Sequence, residues 1–462
     1  MFDFGIENGI IVDPERRRLV AANIYISGGK IADITRETHA AAETVNAGGE
    51  YIAPGFIDIH AHIESHPTAG LLLARQGVTT AVNGNCGFGQ ADLNAYFTVT
   101  ETRGFVINQA QLCGATTLRE RVGVADPYMP LSERQLAEAA KLLEEDLQSG
   151  AFGLSFGLEY CPETSKQELY TLSRIVAKYG KLVAIHIRTD FFPGLAALDE
   201  VIELSRQTGA AVQISHIVYQ FGYGMMRHAL ERIETARRAG IDISCDSGMY
   251  TSFATKIGTA VFDEQCFAKW GVSYDSIYMP GGAYAGQTLT RESYLDLRKN
   301  HPDDAAIALI GQPSEIPMAF ELPYMMASSD AGVLAMNGDD GDSSAAHPQD
   351  AGTFPRFLRE LVSQRGQLTL PDAISRITSL PAERLGLTDK GKIAVGADAD
   401  LVVFDPEKLR DNAVYPDRGR SDAPPDGISR VIIGGKTAIC AGDTIHTDLG
   451  RILRKPNAAW KY

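Results

Sequence analysis

Glycines recur about every thirty residues through the middle of the chain, and this spacing constrains the fold more than any other feature. They lie at Gly150, Gly180, Gly209 and Gly240, where each ends a helical pattern, and a short apolar run follows each one. Glycine commonly follows the end of a helix, and short apolar runs are typical of parallel strands buried on both faces. The repeat therefore predicts an α/β fold in which strands and helices alternate around a parallel sheet.

Two of these helices also carry start signals. Ser132 and Gln135 have the spacing of a capping box, and apolar residues then recur at helical spacing until Gly150. The next helix repeats this plan from Ser165 to Gly180. We therefore predict two amphipathic helices that pack on the sheet through their apolar faces.

Polar side chains end the apolar runs, where the strands are predicted to finish. α/β barrels and doubly wound sheets place their active sites at the carboxyl ends of their strands. Seven runs end in this way, and AAIALIG (305–311) is the predicted eighth strand, which favours a closed (βα)8 barrel of the TIM type over an open sheet. The residues at the seven ends are Ser155, His186, His216, Asp246, Cys86, Asp330 and the pair His60 and His62.

The two ends of the chain differ from this central region. Short strand patterns with Gly-Gly turns occur before the barrel and again after it. We predict that residues 1–53 and 385–462 form one composite β-sandwich domain and that residues 54–384 form the barrel between them. Residues 262–303 break the thirty-residue repeat and are predicted to be an insertion between barrel strands.

The net charge narrows the range of partners. The chain has 43 Lys and Arg against 58 Asp and Glu, a formal charge of −15, which argues against nucleic-acid and membrane partners. The sequence shows neither a signal-peptide pattern nor eighteen consecutive apolar residues, and its six cysteines form no CxxC pair. These features predict a cytoplasmic protein that acts on a small molecule, and they leave self-association into a homo-oligomer open.

The pair His60 and His62 is the first sign of a metal site. The two imidazoles are two residues apart, so on a strand they lie on the same side and can share one metal ion with a ligand from a neighbouring strand. Alone this pattern is weak evidence. Together with the other strand-end histidines, the cysteine and the aspartate, it predicts a metal-assisted hydrolase.

Longer motifs give the chain a family resemblance. It resembles the amidohydrolase superfamily, whose members combine a metal-bearing barrel with a β-sandwich from both termini, and more narrowly the D-aminoacylase branch, the N-acyl-D-amino-acid deacylases. The motifs are YIAPGFIDIHAH (51–62), GVTTAVNGNCGFG (77–89), GAFGLSFGLEYCP (150–162), AIHIRTD (184–190), QISH (213–216), HPQDAGTFPRFL (347–358) and GKIAVGADADLVVFD (391–405).

This resemblance implies a role for each strand-end ligand. It implies one or two Zn²⁺ ions, with other divalent metals left open. Two histidines would lie near one metal position, two would hold the second, and a cysteine thiolate would bridge them. These residues are, in that order, His60 and His62, His186 and His216, and Cys86.

The resemblance also assigns the proton transfer. It gives Asp330 contact with the metal and the role of general base and acid, accepting a proton from metal-activated water and delivering it to the leaving nitrogen. Ser155 occupies the position where hydantoinase-like enzymes carry a carboxylated lysine, which favours the cysteine-bridged site. Residues 153–157 also fit a GxSxG nucleophile elbow, but no helical pattern follows directly, which disfavours a serine hydrolase.

Two positions depart from the family pattern near the substrate. The family carries a lysine and an arginine that help to hold the substrate carboxylate, and Val218 and Gln349 stand there in this chain. Tyr250 and Arg188 remain as predicted substrate-binding residues. A charge-assisted hydrogen bond contributes about 1.5–3 kcal/mol, so the loss of two cations predicts an altered substrate pocket.

These observations predict a metal-dependent hydrolase of a non-peptide C–N bond in a small amide, similar to N-acyl-D-amino-acid deacylases. One alternative is the opening of a cyclic amide or ureide, as in hydantoinases and dihydroorotases. A further alternative is a barrel that has lost catalysis and serves as a scaffold. Retention of all six metal and proton-transfer residues disfavours the scaffold.

Overall fold

The computed structural model describes residues 1–64, 66–332 and 343–456. Residues 333–342 of the predicted barrel and residues 457–462 of the predicted terminal domain lie outside the described residues. Within the described ranges, every helix is too short or too polar to cross a membrane.

Within the described part of the chain, eight parallel strands form a closed barrel. Closure depends on a parallel bridge between Ala61 and Ala331, which joins the first strand to the last. The fold class, an α/β barrel of the TIM type joined to a β-domain from both termini, is confirmed by this arrangement. The barrel strands are Phe56–Asp58, Val78–Asn83, Asn108–Gln111 with its continuation Cys113–Gly114, Gly153–Gly157, Leu182–His186, Ala211–Ile214, Ile243–Ser247 and Met325–Ala327.

The predicted eighth strand is wrong. The run at 305–311 forms the strand Ala305–Leu309, which pairs antiparallel with Ser252–Lys256 outside the barrel. The missing barrel strand is Asn108–Gln111, whose four residues are all buried although three of them are polar. A search for apolar runs passes over such a strand, because its polar side chains are buried through hydrogen bonds, such as those from Asn108 to Asp400 at 3.0 Å and from Gln111 to Gln109 at 3.2 Å.

The segment between the last two barrel strands is an excursion, residues 252–309. It contains a three-stranded antiparallel sheet, Ser252–Lys256, Ile277–Tyr278 and Ala305–Leu309, and the helices Gln265–Trp270 and Arg291–Asn300. The excursion is therefore wider than the predicted insertion at 262–303.

Helices surround the barrel, and both predicted capping signals operate. Ser132 and Gln135 form the complete capping box of the helix Glu133–Ser149, and Gly150 follows that helix with φ 119°. Ser165 accepts a hydrogen bond from the Glu168 backbone at the start of the next helix. The remaining helices are Pro67–Arg75, Leu93–Arg103, Ala115–Arg121, Lys166–Lys178, Phe191–Thr208, Ile217–Phe221, Met226–Arg238, Glu315–Ala319, Gln349–Leu358 with the π-helical turn Arg359–Gln364, Leu370–Arg376 and Ser379–Leu385.

Both ends of the chain contribute to one nine-stranded sheet. The strand Tyr51–Pro54 pairs antiparallel with Leu401–Phe404, and this pairing joins the amino-terminal strands to the carboxyl-terminal ones. A separate apolar core lies against this sheet. Its other strands are Phe2–Asp13, Arg18–Ser27, Lys30–Thr35, Ala41–Asn46, Ile428–Ile433, Lys436–Cys440 and Asp443–Thr444. The domain boundaries stated above stay predictions.

Candidate metal centre

A thiol and three imidazoles meet at the carboxyl edge of the barrel. The Cys86 Sγ atom is 3.4 Å from Nε2 of His60 and 3.3 Å from Nε2 of His216. The Nδ1 atom of His186 lies 3.8 Å from the same sulfur. All four residues are buried. The barrel thus gathers one sulfur and three ring nitrogens from four different strands.

Asp330 faces the first-strand histidines across the closure of the barrel. Its Oδ1 atom is 3.3 Å from Nε2 of His60 and 3.3 Å from Nε2 of His62. The Asp330 backbone N–H donates to the His60 carbonyl at 2.9 Å, and the His62 N–H donates to the Ala331 carbonyl at 2.7 Å. Because these bonds join the first and last strands, closure of the barrel fixes the carboxylate against both imidazoles.

Three of these residues have left-handed backbone conformations. The φ angles are 53° at Cys86, 32° at His216 and 55° at Asp330. Few residues other than glycine adopt this region, and the surrounding structure must compensate the cost of about 1–3 kcal/mol at each position. Such strain concentrates at functional sites, and here it directs three side chains into one space.

The charges of the site favour the metal-binding forms of Cys86 and Asp330, whereas they favour the protonated imidazole of His62, which must lose a proton to bind a metal. Burial by itself would raise the pKa of the Cys86 thiol, but the surrounding imidazoles favour the thiolate and lower this pKa well below its usual value. Burial also opposes ionisation of Asp330, and hydrogen bonds from His60 and His62 reverse this effect and lower its pKa well below the usual range. Against the effect of burial, the Asp330 hydrogen bond raises the pKa of His62 to about 10.

The donor set fits a metal ion. Thiolate sulfur, imidazole nitrogen and carboxylate oxygen are the ligands that zinc prefers, and a catalytic zinc site has three protein ligands and one open position. Three groups of three donors have their ligand atoms within 4.8 Å of one another. The groups are His60, His62 and Cys86; Cys86, His186 and His216; and His60, His216 and Asp330.

Two buried aspartates position the backbone around this cluster. Asp246 accepts a hydrogen bond from the His216 backbone at 2.8 Å and another from the Ser328 hydroxyl at 2.7 Å. Asp58 accepts from the backbone N–H groups of His60 at 3.2 Å and Ser329 at 3.1 Å. Each carboxylate therefore holds one candidate ligand together with the strand that carries Asp330.

A cavity of about 330 Å³ opens over the cluster. Its walls combine aromatic rings with a few polar groups, as is common in small-molecule sites. Among the described residues that line it, Lys256 is the single lysine or arginine, and its Nζ atom lies 2.9 Å from Asp303 at the exposed rim. The aromatic residues of the wall are Phe88, Tyr160, Tyr219 and Phe253.

Comparison with known proteins places the chain in a family. A family model described as "Amidohydrolase family" matches residues 303–439. The N-acyl-D-glutamate deacylase of Alcaligenes xylosoxydans xylosoxydans is 31% identical in an alignment that covers 98% of this chain and 96% of that protein. The chain belongs to the D-aminoacylase family of amidohydrolases. A D-aminoacylase from the same organism is 29% identical over 90% of each chain.

A solved structure of this family has the same fold. The N-acyl-D-glutamate deacylase of Bordetella bronchiseptica, complexed with zinc and a phosphonate inhibitor, is 28% identical. It superposes with a TM-score of 0.86 and covers 98% of this chain and 99% of its own. The similarity therefore includes both the barrel and the terminal sheet.

Neither predicted substrate-binding residue is among the described residues that line the cavity. The Arg188 guanidinium pairs with Glu200 through two hydrogen bonds of 2.9 Å. The Tyr250 hydroxyl donates to the Pro348 carbonyl at 3.2 Å, and the Arg356 guanidinium lies 4.6 Å from the centre of its ring. Both side chains are engaged by neighbouring protein groups, and their contact with substrate stays a prediction.

The two positions that depart from the D-aminoacylase pattern have structural roles. Val218 is buried at 2% exposure and does not reach the described cavity wall. Gln349 accepts a hydrogen bond from the Tyr219 hydroxyl at 3.0 Å, and its amide donates to the Asp330 carbonyl at 2.6 Å. Gln349 therefore supports the backbone of Asp330.

Ser155 supports the cysteine loop. Its hydroxyl accepts a hydrogen bond from the Gly87 backbone at 2.9 Å and donates to the Gly84 carbonyl. The side chain is completely buried and is absent from the described cavity wall. This environment leaves Ser155 no access to a substrate, which argues against a serine nucleophile.

Sequence reasoning missed one group of charged residues beside His186. Glu159 accepts a hydrogen bond from His186 Nε2 at 3.0 Å, and Lys269 contacts both Glu159 and Asp190 at 2.5 Å. Glu159 follows a barrel strand in a segment without periodicity, and Lys269 lies in the excursion. The AIHIRTD motif contained Asp190, but its pattern gave no indication of these partners.

Proposed function

We propose that this protein is a zinc-dependent hydrolase of non-peptide C–N bonds, similar in activity to the N-acyl-D-amino-acid deacylases. One observation carries the proposal. The Cys86 sulfur lies within 3.8 Å of ring nitrogens from His60, His186 and His216. Membership of the D-aminoacylase family supports it, as does the zinc in the Bordetella bronchiseptica relative.

Six residues would hold the metal, and one of them, Asp330, would also move a proton. A bound zinc ion supplies a Lewis acid and lowers the pKa of water to about 7. Asp330 then accepts a proton from the attacking water on its carboxylate and returns it to the leaving nitrogen. The residues that would hold one or two zinc ions are His60, His62, Cys86, His186, His216 and Asp330.

The cavity wall indicates how a substrate binds. Aromatic side chains such as Tyr160 and Phe253 provide apolar surface for an acyl group and exclude water from the reacting bond. Among the described residues of the wall, Lys256 supplies the ammonium that can bind a substrate carboxylate. The substrate carboxylate would replace Asp303, the exposed partner of Lys256. We therefore assign the recognition of a carboxylate to Lys256, in place of the cations that Val218 and Gln349 lack.

A cyclic amide or ureide is the second candidate substrate. The observation that favours it is the single lysine or arginine among the described residues of the wall, because a neutral ring needs no carboxylate partner. Against it stands Ser155, which occupies the position of the carboxylated lysine of hydantoinase-like enzymes. We place the open-chain N-acyl-D-amino acids first on this ground.

Metal analysis followed by a substrate panel tests the proposal. Purified protein should contain zinc and should release free amine from N-acetyl-D-amino acids faster than from their L-counterparts. Cyclic ureides assayed in parallel test the second candidate, and activity confined to them would replace the deacylase assignment. A fully active protein without any divalent metal would overturn the metal chemistry itself, and a loaded protein inactive on the whole panel would favour the scaffold.

A further inference from the structure

We propose that Lys269 is a positioning residue for the metal centre, a proposal that rests on the proposed function. The Lys269 ammonium holds Glu159, Glu159 holds the His186 imidazole, and these contacts make zinc binding and docking of the excursion (residues 252–309) depend on each other. Lys269 and Glu159 are not among the six candidate ligands, and their role can be measured by zinc binding without an activity assay.

The contacts form one continuous chain that is buried except at Lys269, whose side chain is 19% exposed. His186 Nε2 lies 3.0 Å from Oε2 of Glu159, and the other Glu159 oxygen lies 2.5 Å from Nζ of Lys269. The same ammonium lies 2.5 Å from Oδ1 of Asp190. Glu159 is 9% exposed and Asp190 is 2% exposed, so water screens these charges little.

The first contact fixes which nitrogen of His186 is free. A carboxylate can only accept a hydrogen bond, so Glu159 places the ring proton on Nε2. The Nδ1 atom, which faces the Cys86 sulfur, then keeps its lone pair for a metal ion. Carboxylates that orient metal-binding histidines in this way are widespread, and their removal commonly weakens metal binding about 10- to 100-fold.

The charges show why Lys269 matters to this contact. Glu159 and Asp190 are two buried carboxylates that share one ammonium. Without that ammonium, the two carboxylates would repel each other in a region of low dielectric constant. Glu159 would then move away from Asp190, and this movement would release His186.

The chain of contacts also connects two parts of the molecule. His186, Glu159 and Asp190 belong to the barrel, whereas Lys269 lies on the helix Gln265–Trp270 of the excursion. The next residue adds a second attachment, because Trp270 Nε1 donates to Oδ2 of Asp190 at 2.7 Å. Since energetic coupling is reciprocal, zinc binding should hold this helix on the barrel, and release of the helix should weaken zinc binding.

The test measures zinc affinity of the full-length protein after removal of metal, by competition with a chelator. Lys269→Met should weaken zinc binding about 10- to 100-fold. Arg291→Met is the matched control, because it removes a cation of the same excursion that pairs at 3.3 Å with the exposed Glu264, and its zinc affinity should equal that of the wild type. Hydrogen exchange of residues 265–270 should slow when zinc binds to the wild type and should respond much less in Lys269→Met.

A double variant separates positioning from simple loss of structure. Lys269→Met combined with Asp190→Asn removes one charge of each sign and keeps the net charge of the buried group unchanged. Because Asp190→Asn also removes the repulsion between the two carboxylates, the double variant should bind zinc more tightly than Lys269→Met, which a simple loss of structure would not produce. Wild-type zinc affinity in Lys269→Met, a folded double variant that binds zinc no better than Lys269→Met, or unchanged exchange of residues 265–270 on addition of zinc to the wild type would overturn the inference. Failure of the wild type to bind zinc would instead overturn the proposed function.

Discussion

The thiol of Cys86 lies 3.3 Å from Nε2 of His216, although the two residues are 130 positions apart and both have left-handed backbone. Neither conformation is favourable for an isolated residue. Both persist because hydrogen bonds hold the backbone there: the Gly87 N–H donates to the Ser155 hydroxyl, and the His216 N–H donates to the Asp246 carboxylate. The fold thus stabilises a strained backbone at Cys86 and His216, the two positions where both side chains must face the same metal ion.

Replacement of Cys86 by alanine should remove both metal and activity. The change deletes the sulfur common to two of the three donor groups. Loss of a group that only orients a metal ligand commonly lowers metal affinity or activity about 10- to 100-fold. Loss of the Cys86 sulfur itself should therefore lower kcat/KM at least as much. Zinc content and deacylation rate measure the effect, with Cys440→Ala, a thiol of the terminal sheet, as the matched control. Equal zinc content in the two variants would exclude a ligand role for Cys86.

Replacement of Asp330 by asparagine should separate metal binding from proton transfer. The group formed by Cys86, His186 and His216 does not include Asp330, so zinc should remain bound there. An amide cannot accept the proton that the carboxylate takes up, and we expect kcat to fall about 10²- to 10⁴-fold. Zinc content and kcat should be measured on the same sample. If kcat of the zinc-loaded variant stayed within about tenfold of wild type, Asp330 would not be the general base.

The sequence predicts the placement of those candidate ligands that belong to the thirty-residue repeat. His186 ends a strand and His216 lies two residues after the next one, and each strand follows a helix and a glycine, so their meeting at one edge could be predicted from spacing. Lys269 could not, because it belongs to an excursion without a repeat, and its contact with Glu159 spans 110 positions. The family resemblance supplied the roles of the ligands, which spacing alone left open.

The sequence pattern also misassigned two strands. The apolar run that became Ala305–Leu309 was predicted to be a barrel strand because it is apolar, and it lies buried in a different sheet. The barrel strand Asn108–Gln111 is buried through paired polar side chains. Hydrophobic patterning does not identify the partner strand of Ala305–Leu309, and it does not detect the burial of Asn108–Gln111, because most side chains of that strand are polar. The two errors therefore have different causes.

Replacement of Lys256 by methionine should impair binding of anionic substrates selectively. A charge-assisted hydrogen bond contributes about 1.5–3 kcal/mol, so KM for N-acyl-D-amino acids should rise about 10- to 100-fold. KM for the corresponding neutral amides should stay unchanged. Asp303→Asn is the matched variant, because it frees the ammonium from its 2.9 Å partner and should lower KM for the anionic substrates. If KM for the anionic substrates were the same in the wild type and in both variants, Lys256 would have no role in substrate recognition.

Replacement of Gly157 by alanine should damage the site without touching a candidate ligand side chain. A Cβ atom at Gly157 would lie 2.0 Å from the Cys86 carbonyl oxygen, so the cysteine loop would have to move. A displacement of about 1 Å can cost 100-fold in rate, and kcat/KM should fall by about that factor. Gly209→Ala is the control. Gly209 has a φ of 69°, so an added side chain is strained there, but that side chain would extend into open space and lies far along the chain from the cysteine loop. That variant should lose about 1–2 kcal/mol of stability, seen as a lower Tm, while keeping its kcat/KM. If instead the two variants lost activity only in proportion to their loss of stability, close approach of Gly157 to the Cys86 backbone would have no specific role in the site.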